Sequence, residues 1–165
     1  MSIMLWPDRN IYLSTGITGI FQGCEVPPDL IFIDCSVWNI REILTGKFLF
    51  SLAENATFVF ICDKRMLPLA QYYCKIVSKS SLYQKNTDPT DFLRDLRNRR
   101  FHKKQGKTVA LNRDEFILLR LMLINKLSIA NIAWRTGVSV NTVYTRGQVI
   151  SRKMGEKKLD RLMLY

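Results

Sequence analysis

Ser139 and Thr142 stand three residues apart at the head of an amphipathic run that reaches Met154. A serine there caps a helix, and a threonine hydroxyl in the first helical turn reaches a phosphate oxygen. The chemistry on offer is non-covalent recognition of a polyanion. The sequence contains no Gly-rich phosphate loop and no nucleophile–base pair. His102 is the one histidine, and Cys24, Cys35, Cys62 and Cys74 form no CxxC pair, which speaks against a zinc site. Cys35 and Cys62 lie in or beside apolar runs, where a thiol behaves as a small buried hydrophobe. The cysteines are read as reduced thiols. The expectation is a protein that is not an enzyme and needs no metal or cofactor.

The charge is unevenly placed. Met1 to Leu93 carry eight Lys/Arg and nine Asp/Glu, a net of −1, whereas Arg94 to Tyr165 carry seventeen against five, a net of +12. A basic segment attracts polyanions through phosphate contacts and counterion release; a solvated basic surface or attraction to acidic lipid are the alternatives that charge alone leaves open. No stretch approaches the ~20 apolar residues of a membrane span. Met1 to Phe21 lacks a basic leader and is not read as a signal peptide. A cytoplasmic protein of bacterial, nucleoid-associated use is expected.

The elements that must position these residues follow from the apolar pattern. Leu30 to Ile33 and Thr57 to Cys62 are short continuous apolar runs, as in strands buried on both faces of a parallel sheet; Ser2 to Leu5 and Cys74 to Val77 are weaker strand candidates. Helical stretches, Trp38 to Phe50 and Pro68 to Tyr73, lie between them, so residues 1–88 are expected to form an α/β domain. Residues 89–108 read as a helix capped by Thr90, then an exposed basic linker ended by Gly106. Residues 109–165 read as all-α with four helices. Asn112 caps the first and Ser128 the second, Gly137 turns the chain, and Ser139 caps the third, with Val143, Val149 and Ile150 inward and an end at Gly155. A short last helix covers Lys157 to Leu164.

Leu111 and Glu115, Ser128, Ile132-Ala133, Gly137-Val138-Ser139, Thr142-Val143, Ile150 and Lys153-Met154-Gly155 together resemble the LuxR/GerE-type helix-turn-helix. The resemblance covers about a third of the chain. It implies a recognition helix in the DNA major groove, with Tyr144, Thr145 and Gln148 reading base edges. It makes Thr142, Arg146, Arg135, Arg152 and Lys153 phosphate contacts, and Ser139 and Asn141 complete the DNA-binding set. A second reading packs Tyr144 on a neighbouring helix and leaves Arg152 a solvated charge. Leu159, Leu162 and Met163 either pair two subunits, as the family's last helix does, or close the domain's own core. Asn131, Arg146 and Asn112 depart from the family's Glu, His and Thr, changes that bear on capping and backbone contacts.

Pro28 to Asp34 is similar to the response-regulator receiver strand that ends in the phosphoacceptor, Asp8 to one member of its acidic pair, and Val77 to Ser80 to its last strand with Lys79 as the lysine. Only one acid stands where two are usual, Cys62 replaces a hydroxyl residue, and Asp8 to Asp34 is too short for a full helix-strand-helix. The expectation is a reduced, degenerate receiver-like domain in which Asp34 is not phosphorylated; an ordinary Asp at a strand end is the alternative. The whole is expected to be a sequence-specific transcription regulator on double-stranded DNA, as a homodimer. The alternative is an auxiliary subunit acting through a heterodimer with another regulator.

Overall fold

The computed structural model describes residues 3–23, 27–50, 56–98 and 110–164. Its N-terminal part is a parallel sheet of four strands, β1 (Met4–Trp6), β2 (Leu30–Cys35), β3 (Thr57–Cys62) and β4 (Ser80–Gln84), in the order β1-β2-β3-β4. Every residue of β2 and β3 is buried, because helices cover both faces. On one face, α2 (Ile40–Thr45), α3 (Lys47–Phe50) and α4 (Leu67–Ile76) pack on Ile31, Ile33, Phe58 and Phe60. On the other, α1 (Ile11–Ile20) and α5 (Pro89–Arg97) put Ile17, Phe21, Phe92 and Leu96 against Phe32, Val59 and Tyr83.

This arrangement has a topological consequence. All three crossovers step in the same direction across the sheet, yet α1 lies on the opposite face from α2 to α4. The first crossover therefore has the opposite hand to the other two, and one hand is strongly favoured in βαβ units. A doubly wound sheet of order 2-1-3-4-5 acquires this pattern when its edge strand and the following helix are lost. A single helix between β1 and β2 is all that the short Asp8-to-Asp34 interval holds.

Several sequence expectations need correction. Cys74 to Val77 is not a strand: Cys74 sits in the last turn of α4, after which the chain turns into β4. The last strand is Ser80–Gln84, so Lys79 precedes it at the end of the sheet remote from Asp34. Its two strongly apolar residues, Leu82 and Tyr83, are too few to announce a strand. Asp88, not Thr90, caps α5, accepting from the Thr90 and Asp91 amides, with Pro89 in the first turn. Gly106 and Cys24 lie outside the described residues. Cys35, Cys62 and Cys74 are buried and form no disulfide.

The C-terminal part holds α6 (Arg113–Leu123), α7 (Ile129–Thr136) and α8 (Val140–Lys153), then a 3₁₀ turn, Leu159–Leu164, in place of the expected fourth α-helix. It is seated on the sheet layer. Phe116 of α6 stacks on Tyr72 with centroids 4.3 Å apart and meets the edge of Tyr73 at 5.7 Å. The Leu111 amide donates to the Pro68 carbonyl at 3.1 Å, and Arg65 pairs at 2.7 Å with Glu156, whose side chain is 6% exposed. The apolar core runs without a break from Ile33 and Phe60 through Tyr73 to Leu119 and Ile150. Truncating Phe116 to Ala should cost about 3 kcal/mol. Because the seat joins both parts, urea unfolding followed separately in the sheet and in the helices should shift by the same amount.

Candidate nucleic-acid interface

The helix-turn-helix is fixed by its caps. Asn112 accepts from the Glu115 amide at 2.8 Å while the Glu115 carboxylate accepts from the Asn112 amide at 2.8 Å, a reciprocal capping box formed by Asn where Thr is usual. Ser128 caps α7 through the Asn131 amide. Gly137 closes α7 at φ 69°, a left-handed conformation that glycine takes without strain. Ser139 then caps α8 through the Thr142 amide at 3.1 Å, and the two hydroxyls share a hydrogen bond at 2.8 Å.

The faces of α8 divide sharply. Val143, Gly147, Ile150 and Ser151 are buried, and a Cβ at Gly147 would lie 3.5 Å from Leu159. Opposite them Asn141, Thr145, Gln148 and Arg152 form one exposed strip at spacings of four, three and four residues. At about 100° per residue, Thr142 and Arg146 border this strip on one side and Tyr144 on the other. The Thr145 hydroxyl donates to the Asn141 carbonyl at 2.9 Å, so its methyl is the group left for a partner. Tyr144 is 55% exposed and walls a groove instead of being covered by a neighbouring helix. From Ile124 to Gly155 the chain carries five Lys/Arg and no Asp/Glu.

The cations are not equivalent. Arg135 and Arg152 are exposed and have no ion partner among the described residues. Arg146 pairs with Asp114 at 3.3 Å, both side chains well exposed, a contact worth at most about 1 kcal/mol and readily exchanged for a phosphate. Lys153 is different and its expected phosphate role is corrected: its ammonium binds Glu115 at 2.7 Å and 2.8 Å and the Ala110 carbonyl at 3.2 Å, with both side chains largely buried. It ties the end of α8 to the start of α6. The dimerisation set is corrected likewise. Leu159 and Leu162 are 8% and 0% exposed and close the chain's own core, and the Met163 side chain lies outside the described residues.

At the C-terminal edge of the sheet a second polar cluster surrounds Asp34, which is 1% exposed. One carboxylate oxygen accepts from the side-chain amides of Asn10 (2.8 Å) and Asn39 (3.1 Å). The other accepts from the Ser36 amide (3.2 Å) and the Ser36 hydroxyl, and lies 3.5 Å from the Lys85 ammonium. Lys85 also binds Ser36 Oγ at 2.5 Å and pairs with Asp63 at 3.4 Å. Asn10, Ser36, Asn39, Asp63 and Lys85 were missed by sequence reasoning, and Lys85 takes the position expected of Lys79. The signal available was a lysine directly after a strand, hidden because the strand itself was weak. Asp8 is exposed outside the cluster. These residues do not fit a magnesium site: both Asp34 oxygens face hydrogen-bond donors, and Asn10 presents an amide where a metal-binding acid would be needed. Burial pushes the neighbouring Cys62 thiol up to about 12, so it is no substitute nucleophile.

Fold and sites define the class: a reduced receiver-like α/β layer carrying a LuxR-type helix-turn-helix. Residues 1–100 match the EcpR N-terminal domain, and the chain belongs to that family. No curated protein matches it. Among solved structures it is similar to the two-component response regulator RcsB in a DNA complex, at 15% identity and TM-score 0.51, over 100% of this chain and 96% of that one. It is also similar to a structure of two RcsB dimers bound to two parallel DNAs, at 14% identity and TM-score 0.52, over 99% and 95%. At these identities the likeness is one of fold.

Replacing Lys153 with Ala leaves Glu115 charged, largely buried and unpaired, and should cost about 3–5 kcal/mol. Melting of Lys153→Ala against the Lys153→Met, Glu115→Gln double variant checks this: the double variant should recover most of the loss.

Proposed function

We propose that the chain is a sequence-specific DNA-binding transcription regulator that reads the major groove with α8 and acts without phosphorylation. The observation that carries this is the exposed, acid-free strip Asn141, Thr145, Gln148 and Arg152, held outward by capped helices on a continuous core. Gln148 suits a bidentate pair with adenine, and the Thr145 methyl a thymine methyl. Arg135, Arg146 and Arg152 supply charge for phosphates. The likeness in fold to RcsB bound to DNA supports the same use. Pairing of two copies on an inverted repeat follows from the usual symmetry of such readers.

Independence from phosphorylation rests on the Asp34 cluster. In-line attack on phosphorus needs a free carboxylate oxygen and a divalent ion to offset charge. Here donors face both oxygens and the nearby cation is Lys85. The protein should therefore take up no label from acetyl phosphate with magnesium, and Asp34→Glu should leave DNA affinity unchanged at matched folding. Robust labelling of Asp34 would overturn this half of the proposal.

One observation favours an auxiliary role beside another regulator. Ile11, Tyr12 and Trp38 are 74%, 92% and 68% exposed on segments whose neighbours Asn10 and Asn39 meet at the same Asp34 oxygen. Apolar side chains gathered at one end of a sheet mark a contact surface. Binding of selected DNA by the purified chain alone separates the readings: sequence-specific retention supports direct regulation, and its appearance only with an added partner regulator supports the auxiliary role.

For direct reading, Gln148→Ala should relax preference at one base position by about 1–3 kcal/mol. Arg152→Ala should weaken all sequences alike. Competition between a selected site and its single-base variants measures both, and wild-type behaviour of both variants would displace the strip from the DNA.

A further inference from the structure

A helix about 10–12 Å across fills a major groove about 12 Å wide, so both of its flanks meet a sugar–phosphate strand. The residues assigned so far serve the reading strip and the flank where Thr142 and Arg146 face α7 and the start of α6. The other flank, beyond Tyr144, has no cation on α8 itself. The structure fills that place from elsewhere in the chain. Between α8 and the C-terminal 3₁₀ turn runs a groove of about 290 Å³, walled by Tyr144 and Gln148, floored by Met122 and Val143, and edged by Lys157 and Lys158. Both lysines are exposed and have no ion partner among the described residues, and none of the groove's lining residues is acidic. Glu156, next to Lys157 in sequence, is turned inward to Arg65.

We propose that this groove seats the second DNA strand, with Lys157 and Lys158 on successive phosphates and the apolar deoxyribose edge over the floor beside Tyr144. This rests on the reading of α8 as the recognition helix and extends it. The turn after α8 would then be part of the DNA interface, because burial of Leu159 and Leu162 anchors it beside the helix and sets the two lysines at its rim. Leu159 lies against Gly147, where an added Cβ would meet it at 3.5 Å.

The test is the salt dependence of DNA binding by the full chain. Each lost phosphate contact lowers the slope of log affinity against log salt by about 0.9. Lys157→Ala with Lys158→Ala should therefore reduce the slope by about 1.8, weakening binding roughly 30-fold at ~0.15 M salt with base preference unchanged. Lys157→Arg with Lys158→Arg should keep the wild-type slope. Lys75→Ala with Lys79→Ala removes the same charge from the sheet layer and should also keep it. A wild-type slope in the Lys157/Lys158 alanine variant, or an equal loss in the sheet-layer variant, overturns the proposal while the recognition helix stands. Absence of salt-dependent DNA binding in the wild type overturns both.

Discussion

The arrangement depends on the stack of Phe116 against Tyr72 and Tyr73. Those rings join two layers whose chemistry differs, a sheet layer close to neutral and a helical layer, residues 110–165, with ten Lys/Arg against four Asp/Glu. A small helix-turn-helix buries little apolar area by itself, and its stability is correspondingly marginal. Seated on α4, it shares the core of the sheet layer. The seat uses α6 and the segment around Glu156, and leaves the strip from Asn141 to Arg152 outward. The sheet layer thus supports α8 without covering it.

The Asp34 cluster is likewise held by contacts within the chain. A buried carboxylate is costly unless donors and an opposite charge satisfy it. Here two asparagines, one serine and one lysine do so, and Lys85 bridges to Asp63, which accepts from the Val37 amide at 3.0 Å. The cluster ties the ends of β2, β3 and β4 to the start of α1. Such a network, satisfied from within the chain, rigidifies the end of the sheet that it spans.

Much of the helical part was legible because its signals are local. Asn112, Ser128, Gly137 and Ser139 each act within three or four residues, and the structure uses each as the sequence suggests. The central strands were legible as continuous apolar runs. What was hidden depends on partners distant in the chain. Lys153 reads as a surface cation until Glu115, 38 residues away, is seen beside it. Lys85 is unremarkable until β4 carries it to Asp34, and Leu159 and Leu162 show no preference between a partner and their own core until both are seen buried in that core.

The pairing of charges also limits what the net charge can mean. Of the cations in and after α8, Lys153 is held by a largely buried acid and Arg146 by an exposed one, whereas Arg152, Lys157 and Lys158 have no ion partner among the described residues. A buried pair is fixed because separating it strands a charge in low dielectric; an exposed pair exchanges with solvent at little cost. The charge available to a phosphate strand is therefore smaller than the sequence total and more localised. It borders α8 on both flanks, which is the distribution that a helix lying between two phosphate strands requires and that a uniformly basic surface would not produce.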